Sequence, residues 1–403
     1  MSTLSHTKRV VSGMRATGPL HLGHYHGVIQ NWVKLQHQHE CMFFVADWHG
    51  LTTHYDDPSI ISNAVWDMII DWLACGINPH LSRVFIQSKV PAHAELHLLL
   101  SMITPIGWLE RVPTYKDQQE KLHEKDLSTY GFLGYPVLQS ADILLYKADF
   151  VPVGEDQVSH IELTREVARR FNHLYGREQN FERLSQEAIK KMGKKQGKLY
   201  ETLRQSFQQD GHHDALATAQ ALVVAQHNLS MGDKERLMGY LDGSGKIILP
   251  EPQALLTKKS KFPGLDGQKM SKSYHNTIML RDSFETVEKK IMTMPTDPAR
   301  VKRTDPGDPS RCPVWALHGV YSDETVKSWV QQGCRTAGIG CVDCKRPVID
   351  KVIQELTPIQ QEIKTFEADL PSVKRMVAEG CESARDEAEK TLRDVREAMK
   401  LEY

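Results

Sequence analysis

The 403-residue sequence has no continuous apolar stretch long enough to span a bilayer, and its first residues, MSTLSHTKRVVSG, hold no apolar run of signal length. These absences exclude a membrane protein and predict a soluble, cytoplasmic one. Net charge is nearly absent too, with 50 basic residues against 51 acidic and −1 overall. A nucleic-acid partner must therefore be met by local basic patches, because there is no global positive field. Internal repeats and low-complexity tracts are missing, and 40% hydrophobic with 25% charged residues excludes large-scale disorder. Seven cysteines, an odd number in a cytosolic chain, exclude a disulfide framework.

The length suffices for two or three domains with their own cores. Short runs rich in Val and Phe at 10–13, 41–47, 84–86 and 150–153 read as buried parallel strands. Helical periodicity separates them, at 21–38, from Asp57-Pro58 to Gly76, at 92–103 and at 137–147, and continues over 155–175. Alternation at this spacing predicts a Rossmann-like, doubly wound α/β domain. Residues 1–184 are expected to form its first part, 185–245 a helical insertion, and 246–282 its completion. From about 283 to 403 strand signals nearly vanish, and charged helices dominate up to a polar amphipathic helix at 374–400.

Two short motifs carry chemistry. In TGPLHLGHY (17–25), Gly18 and Pro19 follow a strand and His21 opens a helix. His21 and His24, three apart, share one helical face at its positive end, and Gly23 lets a flat ligand approach the backbone. Such an arrangement suits a polyphosphate. Alone it reads more readily as a His N-cap beside a surface His. The second motif, KMSKS, lies in the glycine-containing loop PGLDGQKMSKS and comprises Lys269, Met270, Ser271, Lys272 and Ser273. Alone it is a solvated basic loop.

The pair, HxGH near the N-terminus and KMSKS about 250 residues later, resembles class I aminoacyl-tRNA synthetases. The resemblance implies that an amino-acid carboxylate attacks the α-phosphorus of ATP, which enters with Mg2+. His21 and His24 then stabilise the phosphate charge, and Lys269 and Lys272 neutralise departing pyrophosphate. The segment YPVLQSADILLYKADFVPVGEDQVSHIELTREVARRFN (135–172) is similar to tryptophanyl-tRNA synthetases almost throughout. By that resemblance Asp142 faces the indole N–H, Tyr135 and Gln157 hold the substrate amino group, and Gly154 and Asp156 lie at the ATP ribose. His49, in ADWHGLTT, matches a residue near the substrate, and Lys116, in VPTYKD, a lysine reaching the phosphates. Val11 and Gly13 on the first strand and Gln139 beside the ring complete the expected tryptophan site. Val11 and Gln139 depart from the Phe and Met that many members carry. Outside the long match, Asp142 would be read as a capping or ion-paired carboxylate.

Implied partners are L-tryptophan, ATP and tRNA(Trp), with the helical region from 283 binding the anticodon and one tRNA bridging a homodimer. Because Gln139 could bond a polar ring substituent, a tyrosyl-tRNA synthetase is the nearest rival. A nucleotidylyltransferase shares HxGH but is usually shorter and lacks KMSKS. An inert paralogue that senses tryptophan or binds RNA conflicts with two complete signatures.

Cys312, Cys334, Cys341 and Cys344 are spaced C-x21-C-x6-C-x2-C. Thiolates two residues apart in CVDC can reach one metal, and four thiolates suit zinc or an iron–sulfur cluster. The pattern resembles a subset of tryptophanyl-tRNA synthetases with a [4Fe-4S] cluster, so a cluster is expected, with Zn2+ the alternative. Lys302, Arg303, Arg311, Arg335, Lys345 and Arg346 surround it with charge suited to RNA. Trp315 and Trp329 are read as core residues.

Overall fold

The apolar runs form strands where their composition predicts them: β1 (Arg9–Arg15), β2 (Glu40–Ala46), β3 (Ser82–Ile86) and β4 (Phe150–Val153). The computed structural model describes residues 8–112, 129–177, 180–256 and 262–403. A fifth strand, β5 (Gln253–Leu256), completes a sheet of order β3-β2-β1-β4-β5. The pairs β1–β4 and β2–β3 are parallel, with Val10 opposite Phe150 and Cys41 to Val45 opposite Ser82 to Ile86. This is a doubly wound, Rossmann-like order. The sequence offers no signal for β5, which is four residues, QALL, without a β-branched side chain.

The chain divides into two compact units, and the division falls within β1 and within the last helix. One unit contains Gly13–Ile86 and Leu256–Cys381. Its core includes a buried aromatic cluster. The Trp32 ring stacks on Phe43 at 4.4 Å and 6°, and meets Trp72 edge-on at 5.1 Å. After β5 the described residues form helices and no further strand, ending in Cys341–Ala368 and Leu370–Met399.

The other unit contains Lys8–Ser12, Gln87–Leu255 and Glu382–Tyr403. Within it, Phe181–Lys191, Lys194–Asp210, His213–Val224 and Met231–Leu241 are helices. They share a core of their own around Ile189, Tyr200, Val223, Leu237 and Leu241. Tyr200 is fully buried, and its hydroxyl donates to the Leu237 carbonyl at 2.6 Å. Lys147 donates to Glu235 in the last of these helices and to Asp394 in the C-terminal helix, at 3.2 and 2.9 Å.

Removing the large ring at the centre of the first unit leaves a void that the neighbouring rings cannot fill. Trp32→Ala is expected to lower the unfolding free energy by about 3–5 kcal/mol. Trp329→Ala, at a residue 43% exposed, should cost under about 1 kcal/mol. Urea titration of both variants checks this, and equal losses would contradict the packing.

Candidate active site

In the first unit backbone bonds tie HLGH to the chain just after KMSKS. Leu22 N donates to Ile278 O and Leu280 N donates to Leu20 O, both at 3.0 Å, flanking an antiparallel bridge between His21 and Met279. The chain just after KMSKS is thereby held in register with HLGH. The loop itself is braced by Asn276, which is buried. Its side chain accepts from Ser271 N at 2.8 Å and donates to Asp266 at 2.7 Å and to the Lys269 carbonyl at 3.2 Å. Nothing in the motifs singles out Asn276.

HLGH opens a helix that passes directly into a π-helical turn at Tyr25–Ile29. His21 is buried, and its ring stacks on His24 with centroids 3.7 Å apart. The His21 backbone N–H donates to His24 Nδ1 at 3.3 Å. Burial, and secondarily the Lys272 ammonium, pushes His21 down to about 4. Burial first, then His21 and the two lysines, holds His24 well below the ordinary imidazole range. Both rings are thus neutral at pH 7. Buried His21 Nδ1 has no hydrogen-bond partner among the described residues, so a ligand oxygen there would meet an unpaired site.

Lys272 Nζ donates to the Thr17 carbonyl at 3.2 Å. Burial lowers this ammonium to about 8, against the support of Asp71. Asp71 is itself fully buried, is bound by Arg281 Nε at 2.8 Å, and accepts from the Leu20 backbone ahead of HLGH. Burial raises it to about 6 in spite of Arg281. Lys269 is exposed, and Met270 is buried. Gly18 adopts φ +107°, and a Cβ there would lie 3.4 Å from Lys272 Nζ. A Cβ on Gly23 would meet the His21 ring at 2.9 Å and Met270 Cβ at 3.2 Å. The tightness at Gly23 comes from the protein's own histidine as well as from any ligand. His49 is buried in the helix Asp47–His54. Gly13 lies against the Phe44 ring, 2.5 Å from where a Cβ would sit.

In the second unit the helix Tyr130–Leu144 carries Tyr135, Gln139 and Asp142. Asp142 is 1% exposed. Its Oδ1 accepts from Gln87 Nε2 at 2.7 Å and is 2.6 Å from His93 Nδ1, while His93 Nε2 is 2.7 Å from the Tyr146 hydroxyl. Asp142 is therefore not a helix cap. It is a buried carboxylate oriented by two side chains that sequence reading passed over. Val11 is buried in β1, and Gly154, Asp156 and Gln157 lie at the short 3-10 turn after β4, with Gln157 Nε2 donating to Asp156 at 3.4 Å. Lys116 lies outside the described residues.

The expected metal centre is not borne out. Among the described residues no group of three or more His, Cys, Asp or Glu is arranged to hold a metal ion. Neither the [4Fe-4S] nor the zinc reading of Cys312, Cys334, Cys341 and Cys344 stands. All four are free thiols. Cys344 Sγ is 3.4 Å from His318 Nε2, and Cys334 Sγ is 3.9 Å from Arg300. Burial, then the other three cysteines, pushes Cys344 up to about 12, and burial raises Cys334. Lys345 also differs from expectation. It is buried and donates to the carbonyls of Met292 and Met294 at 2.6 and 2.8 Å, so it offers no charge to RNA. Trp329 is exposed and is not a core residue.

Comparison with known proteins follows the same lines. Residues 4–204 and 226–357 match the family of class I tRNA synthetases for W and Y. A tryptophan–tRNA ligase of Ralstonia nicotianae is 63% identical over 396 residues, covering 98% of this chain and 99% of the relative. One from Thermotoga maritima is 44% identical over 397 residues, covering 98% and 100%. Among solved structures, tryptophanyl-tRNA synthetase from Campylobacter jejuni complexed with ADP and tryptophan has a TM-score of 0.72 at 25% identity, covering 97% of this chain and 99% of that one.

Two outcomes follow from the first unit's geometry. Gly23→Ala forces the His21 ring or Met270 to move, and a displacement of that order is expected to lower kcat/KM for ATP by about 100-fold in a protein with unchanged thermal stability. Because Lys272 has a lowered pKa, its charge is present below about 8 and lost above it. The free enzyme's kcat/KM for ATP should therefore decline above that pH, and Lys272→Arg should move the decline upward. A pH profile identical in the two proteins would exclude Lys272 as the titrating group.

Proposed function

Because the chain belongs to the tryptophan–tRNA ligases within the class I tRNA synthetases, we propose that its two signatures grip ATP and that residues 135–157 select the amino acid. The reaction is ATP-dependent activation of tryptophan and its transfer to tRNA(Trp). The observation that carries this is 63% identity along essentially the whole of both chains. Tryptophan–tRNA ligases as the matching relatives favour tryptophan over tyrosine, and the complete, mutually braced signatures argue against an inert paralogue.

In this reading the tryptophan carboxylate attacks the α-phosphorus, a bond to pyrophosphate breaks, and tryptophanyl-adenylate remains bound. No covalent enzyme intermediate forms, so catalysis is positioning and charge stabilisation. His21 and His24 act as neutral hydrogen-bond donors, which suits charge that develops during the reaction. Two imidazolium ions stacked at 3.7 Å would repel each other. Lys269 and Lys272 supply the positive charge, with Met270, Ser271, Gly18 and Gly23 shaping the phosphate site; the Ser273 side chain lies outside the described residues. Gly154 and Asp156 take the ribose. Transfer to the tRNA 3′ end then releases AMP.

In the second unit the amino acid is held by Asp142 at the indole N–H and by Tyr135 and Gln157 at the ammonium group, with Val11 and Gln139 beside them; Gly13 and His49 keep the substrate role that the family resemblance gives them. Two hydrogen bonds already fix Asp142 Oδ1, which makes the carboxylate an oriented acceptor and penalises a ring without N–H at that point. The helical region from 283 to 403 takes the anticodon, with Lys302, Arg303, Arg311 and Arg335 exposed, in a cytoplasmic homodimer.

Pyrophosphate exchange into ATP tests the assignment. Exchange is expected with tryptophan and not with tyrosine, and Asp142→Ala should raise KM for tryptophan by about 5- to 150-fold, the worth of about 1–3 kcal/mol for an unpaired buried donor. Exchange supported by tyrosine alone, or an unchanged KM in the folded variant, would refute it.

A further inference from the structure

His160 is 2% exposed on the first turn of the helix Val158–Tyr175, and no motif gives it a task. Its ring joins two residues assigned above to the tryptophan site. Nδ1 is 2.7 Å from Gln139 Oε1, and Nε2 is 3.3 Å from the Tyr135 hydroxyl. The Tyr135 ring meets the imidazole edge-on, with centroids 5.6 Å apart. An amide oxygen has no proton to give, so the contact with Gln139 requires the hydrogen on Nδ1. A neutral imidazole carries one such hydrogen, which leaves a lone pair on Nε2. The Tyr135 hydroxyl must then donate to Nε2.

We propose that His160 is a positioning residue for tryptophan. By accepting the Tyr135 proton it commits that hydroxyl's donor inside the protein and turns the phenol oxygen into an acceptor for the substrate ammonium. On the other side it engages the Gln139 carbonyl, the group that could otherwise accept from a phenolic substrate. A single tautomer thus serves both ends of the amino acid. The inference rests on the assignment of Tyr135 and Gln139 to the tryptophan site.

His160 is not the sole tie between the two helices concerned. Ser140 and Thr164 hydroxyls lie 2.9 Å apart and join the helix Tyr130–Leu144 to Val158–Tyr175 independently. Substitution at His160 therefore spares the packing. Asparagine puts its amide near the position of Nδ1, and glutamine near that of Nε2. His160→Asn keeps a donor for Gln139 and loses the acceptor for Tyr135, whereas His160→Gln offers an amide oxygen that can accept from Tyr135.

In pyrophosphate exchange His160→Asn should raise KM for tryptophan about 3- to 10-fold, as expected for one lost hydrogen bond, with KM for ATP and kcat unchanged. His160→Gln should recover most of the loss. Tyr135→Phe should raise the same KM, and adding His160→Asn to it should have no further effect. An unchanged KM in folded His160→Asn, or multiplicative effects in the double variant, would overturn the role of His160. An unchanged KM in Tyr135→Phe would instead remove Tyr135 from the substrate site. Nitrogen-15 NMR of labelled histidines gives a second readout that does not depend on the asparagine variant folding. The signal missing in His160→Gln should report a hydrogen on Nδ1 in the wild-type protein, and a hydrogen on Nε2 would overturn the proposal.

Discussion

Two backbone hydrogen bonds, from Leu22 to Ile278 and from Leu280 to Leu20, are the constraint on which the first unit's chemistry depends. HLGH and KMSKS are about 250 residues apart, and side chains at either motif have no local means of finding the other. A short antiparallel contact solves this at the level of the main chain, where register is fixed in steps of one residue. Once Ile278 and Leu280 are set against Leu20 and Leu22, the loop ending at Asn276 has little freedom. The Asn276 side chain then fixes its interior by bonding Ser271, Asp266 and Lys269. The proposed ATP site is thus positioned by backbone pairing and one buried amide, and its charged residues are passengers on that frame.

Charge in this unit follows from burial. His21 and His24 are held neutral because a desolvated imidazolium is costly and Lys272 stands close by. Lys272 is weakened by the same desolvation. Asp71, beneath them, offers only partial compensation, since Arg281 already engages it. The arrangement is short of negative charge near its cations, and a polyphosphate would supply what is missing. Neutral donors and under-compensated ammonium groups form a site whose electrostatics improve when an anion enters.

Much of the fold was legible because parallel strands and amphipathic helices declare themselves by period. The runs around Val10, Phe43, Val84 and Val151 became strands, and helices formed between them. β5 escaped because QALL has neither length nor branching, and the π-helical turn at Tyr25–Ile29 because one residue of extra winding leaves the apolar pattern nearly unchanged. Around the candidate site, the sequence singled out residues within contiguous motifs and passed over the residues that bond to them. Gln87, His93, His160 and Asn276 are single polar residues in segments without a signature. Only the fold reveals that each bonds a motif residue. The cysteines illustrate the opposite error. Crowding in sequence suggested a ligand set, but among the described residues no group of three or more His, Cys, Asp or Glu is arranged to hold a metal ion.

The unsigned residues also bear on how one ring is told from another. A carboxylate that is merely present beside an aromatic substrate accepts from an indole N–H or from a phenol hydroxyl. Asp142 is more constrained, because Gln87 and His93 hold Oδ1 and His93 is in turn held by Tyr146. Rotation of the carboxylate toward a donor placed elsewhere breaks buried hydrogen bonds, and each costs about 1–3 kcal/mol when left unmade. Gln139, a second possible acceptor, already uses its carbonyl on His160. In the proposed reading, discrimination follows from how few acceptors can move. The Gln139 carbonyl is already engaged by His160, so the residue type of Gln139 does not by itself make the proposed site one for a phenolic ring.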